Sequence, residues 1–324
     1  MYMVTGSPVT GRMLCKVKDF LCRCQLDWDE SISFTAVLME DDEIAATGSL
    51  DGNTIKCVAV SPEYHGQDLS ARVLTALYQE ALSRGHDHLL LYTKPHNGHL
   101  FQPLGFHPVI RTPDCLLMEN RRGGLAKFLD EIEKPEGGPV GCVVANCDPF
   151  TMGHRRLIER AAAECAWVHV FILSQEKGMF TAAQRLAMAK EGLNDLHNVL
   201  VHPTGPYMVS SSTFPTYFIK DKMRSGEIHC ELDVRLFGEK IAPALSIVRR
   251  YVGTEPVCAV TAQYNRCMKQ MLPDYGVDVI EMERFAVSGE QVSASRIRCL
   301  IREKRMGALE GLLPASSLRV IKRR

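Results

Sequence analysis

Apolar residues along this chain fall into short unbroken runs, separated by stretches in which they recur every three or four positions. In the first 120 residues the runs Ile32–Met39, Ile55–Val60 and His88–Thr93 read as strands. Between the last two, Ser70–Ser83 carries apolar residues at 73, 74, 77, 78, 81 and 82, which is helical spacing. The loop Glu63–Asp68, containing Gly66, joins Ile55–Val60 to that helix. Residues 121–138 change character: Arg-Arg-Gly-Gly, a short amphipathic stretch, then Lys134-Pro-Glu-Gly-Gly-Pro139. Such a run of breakers marks a boundary, so the chain divides into a domain over 1–122, a linker over 123–138 and a domain over 139–324.

In the second domain strand and helix patterns alternate. Val140–Ala145, Trp167–Leu173, Val199–His202, Arg250–Gly253 and Val277–Glu281 read as strands. His154–Cys165, Ala182–Leu193 and Ser293–Arg302 read as helices. Continuously apolar strands set between helices predict a parallel sheet covered on both faces. The fold class expected is therefore α/β, an α+β domain followed by a Rossmann-like parallel sheet.

Composition narrows the function classes. With 324 residues, 46% apolar and 23% charged, the chain can bury two ordinary cores. Lys and Arg number 38, as do Asp and Glu, so no global field draws nucleic acid or a membrane surface, and any anion site must be local. No apolar run approaches the roughly 18 residues of a membrane span, and Met1–Met13 lacks a signal-peptide core; a cytoplasmic protein is expected. Twelve cysteines show no paired spacing, which predicts reduced, mostly buried thiols. His86/His88 and His96/His99 lack a matching second pair and read as loop histidines, so no side chain is assigned to a metal.

Candidate chemistry gathers at two helix starts. Asn146-Cys-Asp-Pro-Phe-Thr-Met-Gly-His-Arg-Arg156 follows the first strand of the second domain and opens a helix. Ligands of open α/β sheets bind outside the carboxyl ends of the strands, and free N–H groups at a helix start hold anions. Gly153 allows close approach, while Thr151 and His154 supply side-chain donors. Arg155 and Arg156 oppose the helix dipole by about 0.3–1 kcal/mol each, a broken rule of the kind that accompanies function. Ser293-Ala-Ser-Arg-Ile-Arg298 repeats the anomaly: a Ser N-cap is followed by Arg296 at the third helical position, then Arg298. One polyanion held between the two starts explains both; solvated basic faces are the alternative. Arg185 and Lys220 are further candidates for phosphate or substrate contact, or surface residues. The turn Val252-Gly-Thr-Glu-Pro256 ends a strand on the same rim, where Gly253, Thr254 and Glu255 are placed to meet adenine or ribose.

Asp148-Pro149-x-Thr151-x-Gly153-His154 followed by Ser293-x-Ser295-Arg296-Ile297-Arg298 resembles the nucleotidyltransferase superfamily with its T/H-x-G-H motif. The resemblance implies ATP with Mg²⁺ as its companion, and a nucleotide site formed by Asn146, Pro149, Phe150, Gly153, Gly253, Thr254, Glu255, Ser293, Ser295 and Arg298. Within it, His154 would stabilise charge on the α-phosphate, with Thr151 in place of the first His of H-x-G-H. Arg296 and Arg298 would neutralise the departing pyrophosphate. The first domain resembles the GNAT acetyltransferase fold through Ile55–Val60, Glu63-Tyr-His-Gly-Gln-Asp68, its helix, Leu89–Thr93 and Phe101-Gln-Pro-Leu-Gly-Phe106. That likeness places a CoA-like arm at Val58, Val60 and Gly66. Of the usual Q/R-x-x-G-x-G/A loop only Gly66 fits, and Glu63 and Asp68 stand at its two ends, where carboxylates oppose a pyrophosphate.

Fused in this order, the halves resemble one family, citrate lyase ligase, along nearly the whole chain. Ile55-Lys-Cys-Val-Ala-Val60, Thr213-Phe-Pro-Thr-Tyr-Phe-Ile-Lys220 and Val252-Gly-Thr-Glu-Pro256 through Thr261-Ala-Gln-Tyr-Asn265 add to it. The resemblance implies a ligase that activates acetate as acetyl-AMP. The acetyl group then passes to the dephospho-CoA-derived thiol on the acyl carrier subunit of citrate lyase, with neither nucleic acid nor membrane as partner. A ligase for another carrier, as in malonate decarboxylase, a coenzyme-forming adenylyltransferase and a nucleotide- or CoA-sensing protein remain open on these residues.

Overall fold

The computed structural model describes residues 1–176, 178–210, 214–255, 258–287 and 290–323, so Thr213 and Pro256 of the segments quoted above lie outside the described residues. The chain forms two compact units: Met1–Gly124 with Phe214–Ile228, and Leu125–Thr213 with His229–Arg324.

The first unit is built on β1 (Tyr2–Gly6), α1 (Gly11–Arg23), β2 (Phe34–Glu40), β3 (Glu43–Asp51), β4 (Thr54–Val60), α2 (Leu69–Ser83), β5 (Leu90–Thr93), the short α3 (Gly98–Phe101), β6 (His107–Arg111) and β7 (Leu116–Glu119). Its seven strands run in the order β1-β2-β3-β4-β5-β7-β6. Helix α2 buries Leu69, Val73, Leu74, Leu77 and Ala81 against Ala36, Leu38, Leu50 and Ile55 of the sheet. Each large side chain so buried contributes about 1.5–3 kcal/mol, and a charge at Leu77, which is fully buried, would undo the packing. Sequence periodicity located β2, β4, β5 and α2 but not β1, α1, β3, β6 or β7. Strand β3 hid because Thr47, Gly48 and Ser49 interrupt its apolar run, although Thr47 and Ser49 are fully buried. Their hydroxyls bond to the Ala36 carbonyl at 3.1 Å and to Thr35 Oγ1 at 3.3 Å, which makes their burial tolerable.

Strands β4 and β5 are parallel and pair only at Thr54–Leu90 and Ile55–Leu91. Beyond Ile55 they separate, helped by an irregularity opposite Thr47–Ser49, where Cys57 takes a positive φ of 53°. The segment beginning at Phe214 belongs here. Tyr217 donates its hydroxyl to the Tyr92 carbonyl at 2.9 Å, its own carbonyl accepts from Asp27 N at 2.9 Å, and the Phe214 ring meets Tyr92 edge-on at 5.7 Å.

The second unit contains α4 (Gly124–Asp130), within the stretch read as a linker, then β8 (Val140–Ala145), α5 (Met152–Glu164), β9 (Trp167–Ile172), α6 (Ala182–Gly192) and β10 (Val199–Pro203). After these come α7 (Ser225–Leu236), which belongs to this unit from His229 onward, a π-helical turn over Phe237–Ile241, the short α8 (Ala242–Ala244), β11 (Ile247–Gly253), α9 (Ala259–Met271), β12 (Asp278–Met282), the two-residue pair β13 (Ala286–Val287) and β14 (Glu290–Gln291), α10 (Ala294–Arg302) and α11 (Ala315–Lys322). Five parallel strands run β10-β9-β8-β11-β12, the expected covered sheet, with Val143, Val168, Val170, Ile158, Met188, Ile297 and Ile321 in its core. The order reverses between β8 and β11, which opens a crevice at their carboxyl ends.

Against the expectation of reduced thiols throughout, Cys230 on α7 and Cys267 on α9 are joined as a disulfide, their Cα atoms 6.6 Å apart. Nothing in their sequence spacing marks the pair; the packing of two helices brings them together. No helix among the described residues is long and apolar enough to cross a membrane.

Candidate active site

A cavity of about 620 Å³ opens at the carboxyl ends of β8 and β11, a size suited to a nucleotide. Its lining includes Asn146, Thr151, Gly153 and His154 from the β8–α5 turn and Ser293, Ala294 and Ser295 from the start of α10. The two helix starts read from the sequence therefore meet on one cavity. Gly153 makes the approach close: a Cβ there would sit 3.4 Å from the Val292 carbonyl oxygen, just ahead of α10.

Thr151 caps α5. Its Oγ1 accepts from His154 N at 3.3 Å, and the Thr151 N–H donates to His154 Nδ1 at 3.0 Å. Because Nδ1 accepts a backbone hydrogen, a neutral His154 carries its proton on Nε2 and has a donor to offer. Burial first, and the positive charge of Arg284 second, push the His154 pKa down to about 4, so the ring is neutral at pH 7. Phe150, fully buried, stacks behind it with centroids 6.0 Å apart, and Ser317 Oγ fixes the Phe150 carbonyl at 2.6 Å. Pro149 follows a cis peptide bond from Asp148. Neither Pro149 nor Phe150 lines the cavity; both shape the turn beneath it.

Several predicted cations have other positions. Arg155 turns away to Asp195, Glu159 and the Gly192 carbonyl, so its breach of the dipole rule is compensated by two acids rather than by a ligand. Arg156 does line the cavity, between Glu159 at 2.9 Å and the face of Phe285. Arg296 is exposed, outside the lining, and paired with Glu290. Arg298 points inward: it donates to the Asp148 carbonyl at 2.5 Å and to Ser295 Oγ at 3.0 Å, and approaches the Asp148 carboxylate at 3.7 Å. That carboxylate also accepts from Met179 N and Phe180 N at 3.0 and 2.9 Å, so Arg298 and Asp148 lock α10 to the β8–α5 turn. Arg185 is fully buried and outside the lining. It donates to the Asn146 carbonyl at 3.0 Å, to Asn146 Oδ1 and to the Gln175 carbonyl, and thus supports the turn from below. Lys220 falls in the first unit, exposed, where its charge and, before it, burial lower the pKa of Lys94.

On the β11 side Gly253 and Glu255 line the cavity, while Thr254 lies behind them. Arg284, missed in the sequence, ties this turn together: Nε donates to the Thr254 carbonyl at 2.7 Å and the guanidinium pairs with Glu255. Arg250, Tyr264 and Asn265 also line the cavity and were given no role from the sequence. Asn265 and Tyr264 lie in the Thr261–Asn265 segment, whose signal was a resemblance without an assigned chemistry. Asn265 Nδ2 donates to the Gly253 carbonyl at 2.9 Å and fixes the turn.

The first unit holds its own cavity of about 680 Å³, lined by Val58 and Val60 of β4, Tyr92 and Thr93 of β5, and Gly66 and Asp68 of the loop before α2. Gly66 has φ +84°, which a side chain would strain. Asp68 faces this cavity and Glu63 does not. Among the described residues no three His, Cys, Asp or Glu side chains group as a metal site, and His88 is engaged by Glu119 at 2.8 Å.

Comparison with known proteins adds the lineage. Residues 140–321 match the model of the citrate lyase ligase C-terminal domain, and residues 13–106 that of the acetyltransferase (GNAT) family. A citrate pro-3S-lyase ligase of Klebsiella pneumoniae is 36% identical over 306 residues, 92% of this chain and 90% of that protein. Its counterpart in Escherichia coli is 35% identical over 316 residues, 95% of this chain and 90% of that one. Among solved structures, Thermotoga maritima TmcAL bound with alpha-thio ATP is similar at 14% identity and a TM-score of 0.42, over 57% of this chain and 55% of that one. With the ligase model matched across the nucleotide-sized cavity and that identity along nine-tenths of the length, the chain belongs to the citrate lyase ligase family.

Proposed function

We propose that this ligase activates acetate with ATP and passes the acetyl group to the thiol of the dephospho-CoA-derived group on the acyl carrier subunit of citrate lyase. The observation that carries the first step is the convergence of Thr151–His154 and Ser293–Ser295 on one cavity at the crevice between β8 and β11. The helix starts at Gly153 and at Ala294–Ser295, with Arg156 and Arg284 in the lining, suit a triphosphate. Magnesium would come with the nucleotide phosphates.

An acetate oxygen attacks the α-phosphorus, the bond to the β-phosphate oxygen breaks, and pyrophosphate leaves. His154 Nε2–H donates to the α-phosphate as charge builds there, and Arg296 would exchange Glu290 for the departing pyrophosphate. Such transfer needs positioning and charge neutralisation more than covalent help. The carrier thiolate then attacks the acetyl carbon, AMP leaves with the electron pair of the cleaved anhydride, and the thioester forms. Val58, Val60 and Gly66 would hold the CoA-like arm in the cavity of the first unit, whose apolar walls fit a pantetheine chain.

Purified protein with Mg²⁺ should exchange labelled pyrophosphate into ATP only when acetate is present. No exchange with acetate or another short acid refutes the adenylation. Mass spectrometry of the carrier subunit after incubation with ATP and acetate should show one added acetyl group on its thiol.

A further inference from the structure

The cavity contains a cation that the phosphate chemistry above leaves unused. Arg250 lies in β11, is 5% exposed and lines the cavity. Its neighbour across to β8 is Cys142, whose Sγ accepts a weak bond from Nη1 at 3.7 Å, and its guanidinium stands over the Phe237 ring, 4.5 Å from the centroid. Among the described residues no carboxylate lies within ion-pair distance of Arg250, whereas Arg155, Arg156, Arg284, Arg296 and Arg298 each have one. Its Nε is buried with no hydrogen-bond partner. Asp233, the acid whose charge bears on Tyr264 together with that of Arg250, accepts the Tyr264 hydroxyl.

A guanidinium withdrawn from water without a counter-charge is costly, and an aromatic face offsets only part of the cost. The fold retains this one where a ligand can supply the missing anion. The lining of the same cavity includes Val144, Val252, Tyr264 and Met268, which offer apolar contact to a short hydrocarbon tail. A buried cation set among apolar side chains recognises a small carboxylic acid; a triphosphate needs several donors around it. Strand β11 neighbours β8, which leads into the His154 turn, so an anion held at Arg250 lies one strand from the phosphate end.

We propose that Arg250 anchors the carboxylate of the acid substrate, a short monocarboxylate, and presents it to the α-phosphorus. This rests on the ligase reading above and supplies its acid site. The competing occupant is a phosphate of the nucleotide, and the two are separable by which substrate loses affinity.

The test uses the full-length chain with Arg250→Met and Arg250→Lys, measuring pyrophosphate exchange against acetate at saturating ATP and against ATP at saturating acetate. The Met variant should raise the KM for acetate by about thirtyfold or more and leave the KM for ATP within about twofold. Its melting temperature should not fall, because an unpaired buried charge has been replaced by an apolar chain of similar length. The Lys variant keeps the charge without the fork and should fall between. Should the Met variant fail to fold, the Lys variant decides on the same two constants. An equal rise for ATP would assign Arg250 to the phosphates, and no change in either constant would make it structural; either result overturns the inference. Absence of exchange by the unsubstituted protein would instead refute the ligase reading.

Discussion

In the proposed reaction His154 would combine a structural and a chemical role, and one substitution can separate them. Its Nδ1 closes a reciprocal cap with Thr151, and its Nε2–H would meet the α-phosphate in the proposed reaction. The same protein closes another reciprocal cap without histidine: Thr181 N donates to Gln184 Oε1 at 3.1 Å, and Gln184 N donates to Thr181 Oγ1 at 3.2 Å. His154→Gln should therefore reproduce a cap this chain already uses while removing the imidazole donor. Stability should change by less than about 0.5 kcal/mol, within the range of substitutions that break nothing buried. The rate of acetate-dependent pyrophosphate exchange should fall about 10²–10³-fold, the loss for one donor to developing charge, or roughly 2.7–4 kcal/mol. His154→Ala should show the same kinetic loss and a further destabilisation of about 1 kcal/mol for the missing cap. Thermal melts and exchange kinetics on the two variants form the assay. A Gln variant within fivefold of the parent rate, or kinetic losses that track the melting temperature across both variants, would refute the division of labour.

Three more outcomes follow from the same geometry. His154, His169 and His202 all have pKa values pushed down by burial to about 4, against an ordinary 6.5. As pH falls below about 6.5 the unfolded chain takes up protons that the folded one refuses, so stability should be whole above that pH and decline toward 4. Urea midpoints between pH 7.5 and 4.5 should show this slope, and His169→Gln should flatten it; an already flat profile contradicts the burial. Tyr217→Phe removes the hydroxyl that reaches the buried Tyr92 carbonyl and should cost about 1–3 kcal/mol in a denaturant melt while leaving pyrophosphate exchange intact. Arg298→Gln loosens the tie between α10 and Asp148, so exchange and melting temperature should fall together, the opposite signature to His154→Gln.

The parallel sheet and the two helix starts were legible because their signals are local. Apolar runs, a Ser N-cap and a Thr-x-Gly-His turn each lie within a few residues. What the sequence hid depends on side-chain direction. Arg155 and Arg156 are adjacent, yet a helix turns each residue by about 100°, and only Arg156 reaches the cavity. Arg298 looked like a phosphate ligand and is occupied by Asp148, which lies far from it in sequence. Arg185 read as phosphate contact or surface and is fully buried beneath Asn146. Arg250 was read as the first residue of a strand that in fact begins at Ile247, and its facing was not readable. Lys220 was assigned with the second half of the sequence because proximity along the chain was the only guide to its neighbours, and the Tyr217–Tyr92 bond overrules that guide.

The return of Phe214–Ile228 to the first unit also bears on how the protein is made. A ribosome that has finished Gly124 has not yet supplied Tyr217, which sits between the parting ends of β4 and β5. The early portion must remain incomplete while roughly a hundred further residues emerge, on the order of ten seconds at about 5–20 residues per second. Clones ending near residue 122 would meet the same shortage permanently, so a severed amino-terminal half should come out sticky unless a peptide spanning 214–228 is supplied in trans.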